Sequence, residues 1–301
     1  MPKDSHSQAL RVPWPRLQAL AREVSCHLQE SGLRTFHRPA LCSVTRAHLS
    51  EAGLPSSLRP ETVIDVLIAG RMLRERLFVA GDLRLLRYAL PTATAFEAAM
   101  SLKPNAYFTH GTAAFLNRLS DATPETLHLN HEQREKPTPS GPLTQVAITA
   151  AYRRPQRVSK LVFCEGNLRI MVLSGKHTGR LEVASLRDPD GGQVDATGVE
   201  RTLIDIAVRP AYAGGIRSVL EIYTRARNRM SGDLLLATLK RLDYRYPYHQ
   251  AIGFLLERAG HERSLFLPLR EMGVEFDFYL VHGETRTRYD TTWRLHYPEI
   301  L

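Results

Sequence analysis

The first ninety residues contain three stretches in which apolar side chains recur every three to four positions. This period is the repeat of a helix that turns one face toward a core. The stretches span residues 14–28, 41–52 and 61–71. In the first stretch the apolar positions are Trp14, Leu17, Leu20, Ala21, Val24 and Leu28. Pro60 stands where the first turn of a helix accepts proline, so we predict three helices, the third beginning close to this residue.

Beyond residue 76 the apolar period becomes two, which is typical of a β-strand. Alternating apolar residues stand on both sides of the turn-forming dipeptide Gly81-Asp82. They are Leu77 and Val79 before the dipeptide and Leu86 and Tyr88 after it. Three helices followed by a β-hairpin is the layout of a winged helix-turn-helix. We predict such a domain over residues 1–90.

Residues 91–301 mix strands and helices. The predicted elements are a strand at 125–130, a hairpin over 161–175, a turn at 187–192, helices between 199 and 260, and strands within 275–282 and 291–298. We expect the last two strands to be antiparallel neighbours. The predicted fold class is therefore α+β, with an N-terminal winged helix-turn-helix followed by a larger mixed α+β C-terminal domain.

The stretch VERTLIDIAVRPAYAGG, residues 199–215, carries both a structural and a chemical pattern. Proline 210 should end one helix and the glycine pair 214–215 should precede a second, which predicts a helical hairpin. Arg201, Asp205 and Arg209 stand four residues apart and form a charge ladder. A ladder of this kind usually solvates an outer helix face. Alternatively it belongs to a partner-binding surface completed by Tyr246, Tyr248, His249 and Gln250.

The basic charge of the first domain suggests which partner it binds. The chain holds 40 Lys and Arg against 31 Asp and Glu, a formal net charge of +9. Residues 1–90 contribute thirteen basic and eight acidic side chains to that excess. A basic winged helix-turn-helix is expected to bind double-stranded DNA, because its cations displace the counterions of the phosphates.

Particular side chains are candidates for this interaction. We expect Arg46, Ser57, Arg59 and Thr62 on or near the recognition helix, and Arg84 and Arg87 on the wing. The alternative is a winged helix that binds proteins only, in which the two arginines of the wing merely solvate an outer face. Glu61 and Asp65 favour that alternative, since carboxylates facing a groove would repel phosphates.

The sequence offers no coherent catalytic or metal-binding set. SGKHTG at 174–179 lacks the first glycine and the final hydroxyl of a phosphate-binding loop, and HEQRE at 131–135 lacks the second histidine of a zinc-protease motif. Glu275 and Asp277 resemble the acidic pair of a metal nuclease, but Tyr279 stands where the lysine would be expected. We therefore expect no enzyme, no metal and no cofactor.

Three widely spaced cysteines, Cys26, Cys42 and Cys164, match neither a disulfide framework nor a zinc pattern. They indicate a reduced compartment. No apolar run approaches the roughly 18 residues of a membrane span, and the first residues lack the apolar core of a signal peptide. We expect a cytoplasmic protein without a membrane partner.

Four separated strings carry a resemblance to a known family. They are VERTLIDIAVRPAYAGG (199–215), RYPYHQAIGFLLERAG (245–260), FDFYL (276–280) and YDTTWRLHYP (289–298). In this order they resemble the C-terminal domain of the AbiEi family, the antitoxins and transcriptional regulators of type IV abortive-infection toxin–antitoxin systems. The resemblance covers about the last two thirds of the chain.

Two functions remain open. The resemblance implies an autoregulator and antitoxin, whose N-terminal domain binds inverted repeats in its own promoter and whose C-terminal domain, residues 91–301, neutralises a cognate nucleotidyltransferase-like toxin. The alternative is a stand-alone winged-helix transcription factor whose C-terminal domain senses a ligand or dimerises. A toxin gene next to the gene for this protein would favour the autoregulator and antitoxin.

Overall fold

A computed structural model describes residues 12–136 and 141–301. Residues 1–11, where the predicted first domain begins, and residues 137–140 lie outside the described part of the chain. The chain divides into two compact units, the first ending at Leu102 and the second beginning at Lys103. Each contains both helices and strands, so the fold class is α+β.

The first unit contains the three predicted helices and the predicted hairpin. Its elements are α1 (Trp14–Glu30), β1 (Thr35–Phe36), α2 (Arg38–Glu51), α3 (Pro60–Ala69), β2 (Arg74–Ala80), β3 (Leu83–Ala89) and α4 (Ala95–Met100). The hairpin turns at Gly81-Asp82, and Gly81 has a φ of +58°, which favours glycine. The short strand β1 pairs antiparallel with β3, so the strand order in this unit is β1-β3-β2.

Apolar faces of the three helices form the core of the first unit. Helix α1 buries the stripe expected from its period, and the same core takes residues from α2, α3 and β3. The fully buried members include Ala21, Val24, Leu41, Val63 and Leu67. Pro60 is the first residue of α3, as the sequence predicts, and it is buried. The helix boundaries therefore follow from local signals.

The second unit begins with a mixed sheet. Its first elements are β4 (Tyr107–Phe108), α5 (His110–Leu116), β5 (Thr126–Glu132), α6 (Gln145–Tyr152), β6 (Val162–Glu165), β7 (Leu168–Gly175), β8 (Val183–Arg187) and β9 (Gln193–Thr197). Within this unit the strand order is β6-β7-β5-β4-β9-β8. The β5–β7 and β4–β9 pairs are parallel and the others antiparallel. The predicted hairpin turns at Gly166-Asn167, as expected.

Helices and a second, small sheet complete this unit. They are α7 (Val199–Val208), a 3-10 turn (Pro210–Ala213), α8 (Ile216–Arg225), α9 (Gly232–Leu242), α10 (Tyr248–Arg258), α11 (Arg263–Arg270), β10 (Phe278–Tyr279), β11 (Thr287–Asp290) and β12 (Leu295–Pro298). The predicted helical hairpin is confirmed: α7 ends before Pro210, and the Tyr223 hydroxyl of α8 donates to the Leu203 carbonyl of α7 at 2.9 Å.

The two strands near the C-terminus pair in the opposite sense to the prediction. The small sheet has the order β10-β12-β11, and Phe278 pairs with Leu295 in a parallel register. An unpredicted strand, β11, lies between them in sequence and forms the antiparallel hairpin with β12. Because the chain reverses twice between β10 and β12, these two run in the same direction. The Asp290 carboxylate accepts from the Trp293 backbone N–H at 2.8 Å and fixes the second reversal.

Helix α10 and the C-terminal strands share one tightly packed core. Trp293 is fully buried, and its ring lies directly on Gly253 of α10. Its indole N–H donates to the Glu257 carboxylate at 2.6 Å. The strings RYPYHQAIGFLLERAG and YDTTWRLHYP thus meet in space, where the absence of a side chain at Gly253 makes room for the indole.

Candidate functional site

The side chains predicted to bind DNA lie on α2, around the start of α3 and on the hairpin of the first unit. Arg59 precedes α3 as its N-cap residue and is exposed, and Thr62 is exposed in its first turn. Ser57 is exposed in the connection before them, and Arg46 is exposed on α2. Arg84 is exposed on β3 close to the hairpin turn. These five side chains are accessible to a partner.

Arg87 has a different environment from Arg84. It is half-buried, and its guanidinium donates to the Ser101 and Leu86 carbonyls at 3.0 Å each. Burial lowers the pKa of Arg87. The hydrogen bond to Ser101 fastens β3 to the chain that follows α4, so Arg87 has a structural role in this unit. Arg84 is the more accessible of the two predicted wing arginines.

Helix α3 itself carries no lysine or arginine, and its two carboxylates have different surroundings. Glu61 accepts a hydrogen bond from the Arg38 guanidinium at 3.4 Å, so its charge is partly balanced. Asp65 is exposed on the same helix. Positive charge near the start of α3 therefore comes from flanking residues, namely Arg59 before the helix and Arg38 of α2 beside Glu61.

The charge ladder of α7 lies inside the second unit, so the expectation that it solvates an outer helix face is wrong. Arg201 and Asp205 are 6% and 5% exposed, and the Arg201 Nε lies 2.9 Å from the Asp205 carboxylate. The other oxygen of Asp205 accepts from the Thr109 hydroxyl at 2.9 Å, and Arg201 also donates to the Leu181 carbonyl at 3.2 Å. The four-residue spacing of the charges does not mark an exposed helix face here, because residues 201–207 are all buried among neighbouring elements.

The Asp205 carboxylate stabilises the charge of Arg201 in the interior of the second unit. Burial alone lowers the pKa of the Arg201 guanidinium, but the Asp205 carboxylate outweighs that effect and the pKa is raised above its usual value. Both partners keep hydrogen bonds beyond the pair itself, which is the condition for a buried ion pair to be tolerated. Arg201 is therefore a fixed cation in the interior.

A cavity of about 1100 Å³ opens over this pair within the second unit. Five of the seven residues predicted for a partner surface line it: Arg201, Asp205, Arg209, Tyr246 and Tyr248. We call this cavity the basic cleft. The Arg209 guanidinium donates to the Arg157 carbonyl at 2.8 Å and lies 5.6 Å from the centre of the Tyr212 ring, so both neighbours hold it in place.

The other two predicted residues pack against the C-terminal strands. Gln250 is fully buried, and its amide donates to the Phe276 and Trp293 carbonyls at 2.9 and 2.6 Å. The His249 ring is half-buried and lies 2.7 Å from the Gly273 carbonyl; burial lowers its pKa. Gln250 joins α10 to the small sheet rather than to a partner.

The cleft also collects basic residues that the sequence did not predict. Its lining includes eight lysine and arginine side chains against three acidic ones. Six of the eight were not predicted: Arg134, Lys136, Arg157, Lys176, Arg241 and Arg245. They lie on loops and element ends far apart in sequence, where no period marks them. The one local signal is RLDYRYPY at 241–248, in which arginines and tyrosines alternate.

A largely buried carboxylate organises the loop that lines one wall of the cleft. Glu132 accepts hydrogen bonds from the backbone N–H groups of Thr178, Gly179 and Arg180 at 3.0–3.1 Å, and from the Tyr107 hydroxyl at 2.9 Å. Burial raises the pKa of Glu132, but these hydrogen bonds, those of Thr178 foremost, outweigh it and the pKa is lowered. The backbone N–H groups of the SGKHTG loop therefore bind the Glu132 carboxylate. They are not free to bind a phosphate, as the N–H groups of a phosphate-binding loop would.

The same loop places a lysine. The Lys176 ammonium donates to the Leu242 and Asp243 carbonyls at 2.8 and 2.9 Å, at the C-terminal end of α9. Cations are favoured at this end of a helix because its last carbonyls are unpaired. Lys176 thereby ties the β7 side of the cleft to the 241–245 segment.

His110 lies in the lining of the cleft in an unusual conformation. Its φ is +53°, and it is buried beside the rings of Tyr212 and His128. Burial, followed by the charges of neighbouring groups, lowers the pKa of His110 well below its usual value, so the ring is neutral. Its Nδ1 is buried and has no hydrogen-bond partner among the described residues. The cleft therefore offers a neutral polar ring beside its cations.

Asp277, one member of the acidic pair near the C-terminus, has a structural role. The Asp277 carboxylate accepts from the Arg294 guanidinium at 2.9 Å and from the Tyr289 hydroxyl at 2.7 Å, and these interactions lower its pKa. Across residues 12–136 and 141–301 no cluster of three or more His, Cys, Asp and Glu side chains is arranged to hold a metal ion. In the same ranges no helix has both the length and the apolar character to cross a bilayer.

Comparisons with known proteins define a fold class without defining a family. No protein-family model matches the chain, and no curated protein matches it. Among solved structures, the crystal structure of the RV2827C protein from Mycobacterium tuberculosis is similar, with a TM-score of 0.55 and 15% sequence identity. The match covers 95% of this chain and 92% of that chain. At this identity the likeness concerns the fold alone.

Proposed function

We propose that this protein is a DNA-binding transcriptional autoregulator and an antitoxin of the AbiEi type, acting in the cytoplasm. One observation carries the DNA-binding part. The first unit has the order α1-β1-α2-α3-β2-β3, and exposed arginines, Arg46, Arg59 and Arg84, lie on α2, before α3 and on the hairpin. Helices followed by a hairpin in this order support the proposal of a winged helix-turn-helix, a module whose hairpin and helix ends hold phosphates.

The antitoxin part rests on the four strings that resemble the AbiEi family. Their residues build α7 and α10 and the strands that pack on α10, and they supply the predicted residues of the basic cleft. We propose that the C-terminal domain, residues 91–301, neutralises a nucleotidyltransferase-like toxin encoded beside this protein. A second candidate is a winged-helix regulator whose C-terminal domain senses a ligand, which the volume of the cleft favours.

The DNA-binding proposal is tested by removing cations from the full-length chain. In the R59A/R84A variant, we expect promoter affinity to fall. The magnitude of the slope of log affinity against log salt should decrease by about two, because each arginine would neutralise one phosphate. Band-shift titrations on the promoter over a salt series measure both. The matched control is R22A/R74A, which removes two other exposed arginines of the first unit. Equal losses in both double variants, or no loss in either, would contradict the assignment.

The antitoxin proposal is tested by coexpression with the neighbouring toxin gene. Growth should be protected by the wild-type protein and by R59A/R84A, because promoter binding is not required when both genes are driven from external promoters. R209A/Y246L should lose protection, since it alters the predicted surface in the cleft. Thermal melting checks that the variant is folded. If a folded R209A/Y246L protects fully, the cleft is not the antitoxin surface. If the wild-type protein gives no protection, the regulator without a toxin is the better interpretation.

A further inference from the structure

The basic cleft combines three features: an excess of cations, tyrosine rings and buried neutral polar groups. We propose that it is a binding site for a nucleotide, with cations binding the phosphate and a tyrosine stacking on the base. The proposal concerns the second unit only. It does not depend on promoter binding by the first.

The basic charge of the cleft is only partly compensated, because eight lysine and arginine side chains face three acidic ones. Of its three acidic residues, Asp205 is already engaged by Arg201 and Thr109, and Glu135 and Asp243 are exposed. Arg157, Arg241 and Arg245 are exposed too, and none forms an ion pair with the described residues. A concave surface lined by one sign of charge concentrates ligands of the other sign. The planar guanidinium matches phosphate in two hydrogen bonds, so a phosphate is the anion that these arginines favour.

The aromatic side of the cleft suits a base. Tyr246 is half-buried, and its ring is held nearly perpendicular to those of Tyr152 and Tyr248, with centroids 5.9 and 6.3 Å apart. Tyr244 lies beside it in the lining. Because the ring is already fixed, its side chain loses little conformational entropy when a base stacks on it. Stacking on aromatic rings of this kind holds bases without sequence preference.

Size and polarity favour a nucleotide over an acidic segment of a protein. The volume of about 1100 Å³ is close to that of small-molecule sites. The most buried polar residues of its lining are neutral ones, Thr109, His110 and Asn130, together with the satisfied Arg201–Asp205 pair. A wall of neutral polar residues suits the polar edge of a base. The carboxylates of an acidic segment would instead pair with the arginines and leave the tyrosine rings unmatched.

The nucleotide has two possible sources, a free nucleotide or the end of an RNA strand. Full-length protein is titrated into mant-labelled ATP and, separately, into fluorescein-labelled penta-adenylate RNA, and fluorescence anisotropy is followed. Unlabelled inorganic triphosphate and hexaglutamate serve as competitors. Binding of mant-ATP identifies a free nucleotide, and binding of the RNA alone identifies the end of a strand. Either result supports the proposal.

Variants separate the two halves of the site. R157A/R245A should weaken binding of both probes by about tenfold, because it removes charged donors to phosphate. Y246L should weaken them by about tenfold because stacking is removed, while competition by triphosphate stays unchanged and Y246F binds normally. The control R263A/R270A removes two exposed arginines of the same unit that do not line the cleft. It should bind within a factor of about two of wild type, as should R59A/R84A.

Three results would overturn the proposal. One is the absence of binding of either probe even when the protein is in large excess over the probe. Another is an equal loss of affinity in R157A/R245A and R263A/R270A, which would mean that only net charge matters. The third is a pair of results: hexaglutamate displaces the probes as effectively as triphosphate does, and Y246L binds them normally. Together these would identify a site for an acidic protein segment. If Y246L melts early, stacking is tested on the wild-type protein instead: unlabelled ATP should displace mant-ATP about tenfold more effectively than inorganic triphosphate does, and equal displacement would show that no base is stacked.

Discussion

Replacing Gly253 by alanine is expected to destabilise the second unit by about 3 kcal/mol or more, the upper end of what overpacking a core costs. A Cβ at this position would stand 2.7 Å from Cζ2 of Trp293 and still closer to Cζ3 and Cη2. The indole cannot move aside, because it is fully buried and its N–H is bound to Glu257. Helix α10 would have to separate from the C-terminal strands.

The measurement is urea unfolding of the full-length variant followed by circular dichroism. Trp293→Phe is the partner in a double-mutant cycle, since a phenyl ring lacks the atoms that the new methyl group would meet. G253A/W293F should therefore be more stable than G253A, although W293F alone loses buried area and the bond to Glu257. If the two single changes simply add, the close approach of Gly253 to the indole is not what limits this position.

The elements that could be predicted from the sequence are those whose cause is local. The period of 3.6 that begins at Trp14, the proline at the start of α3 and the turn at Gly81-Asp82 each act over a few residues. Each therefore leaves a mark in the sequence that can be recognised without knowing the rest of the chain. The hairpin at Gly166-Asn167 follows the same logic.

What could not be predicted depends on packing between distant segments. The parallel pairing of Phe278 with Leu295 is decided by the intervening strand β11, which has only four residues and a weak alternation. Gly253 gives no sign in sequence that an indole forty residues away will lie on it. Strand pairing and close packing of this kind are set by tertiary structure, which overrides local preference.

The candidate site was predictable only in part, for a related reason. Aromatic and arginine side chains are common at interfaces, which is the basis for predicting Tyr246, Tyr248 and Arg209, and all three line the cleft. The pattern did not distinguish them from Gln250, which is buried in packing. Arg157 and Lys176 stand alone in their segments, and only the folding of the chain brings them to the same cavity as Arg245.

The second large effect is expected at the buried ion pair. Replacing Arg201 by alanine leaves the Asp205 carboxylate with the Thr109 hydroxyl as its remaining side-chain donor, in a position that is 5% exposed. Removing one partner of a buried pair costs about 3–5 kcal/mol, because the other charge stays out of water without compensation. We expect R201A to lower the free energy of unfolding of the second unit by that amount. Trp293 fluorescence reports it in a W14F background, since Trp14 is the only other tryptophan.

A double variant decides whether the cost comes from the missing Arg201 side chain or from the unpaired Asp205 charge. R201M/D205N keeps side-chain volume and lets the amide oxygen accept from Thr109, so it should be clearly more stable than R201A or D205N. When its urea unfolding is compared with that of R201M and D205N, the coupling between the two positions should be of the order of 1–3 kcal/mol. Additive losses would show that Arg201 and Asp205 act independently. If the double variant is stable yet no longer binds mant-ATP or the RNA, Arg201 contributes to the ligand site as well as to the interior of the fold, because the packing would then have been restored without the guanidinium.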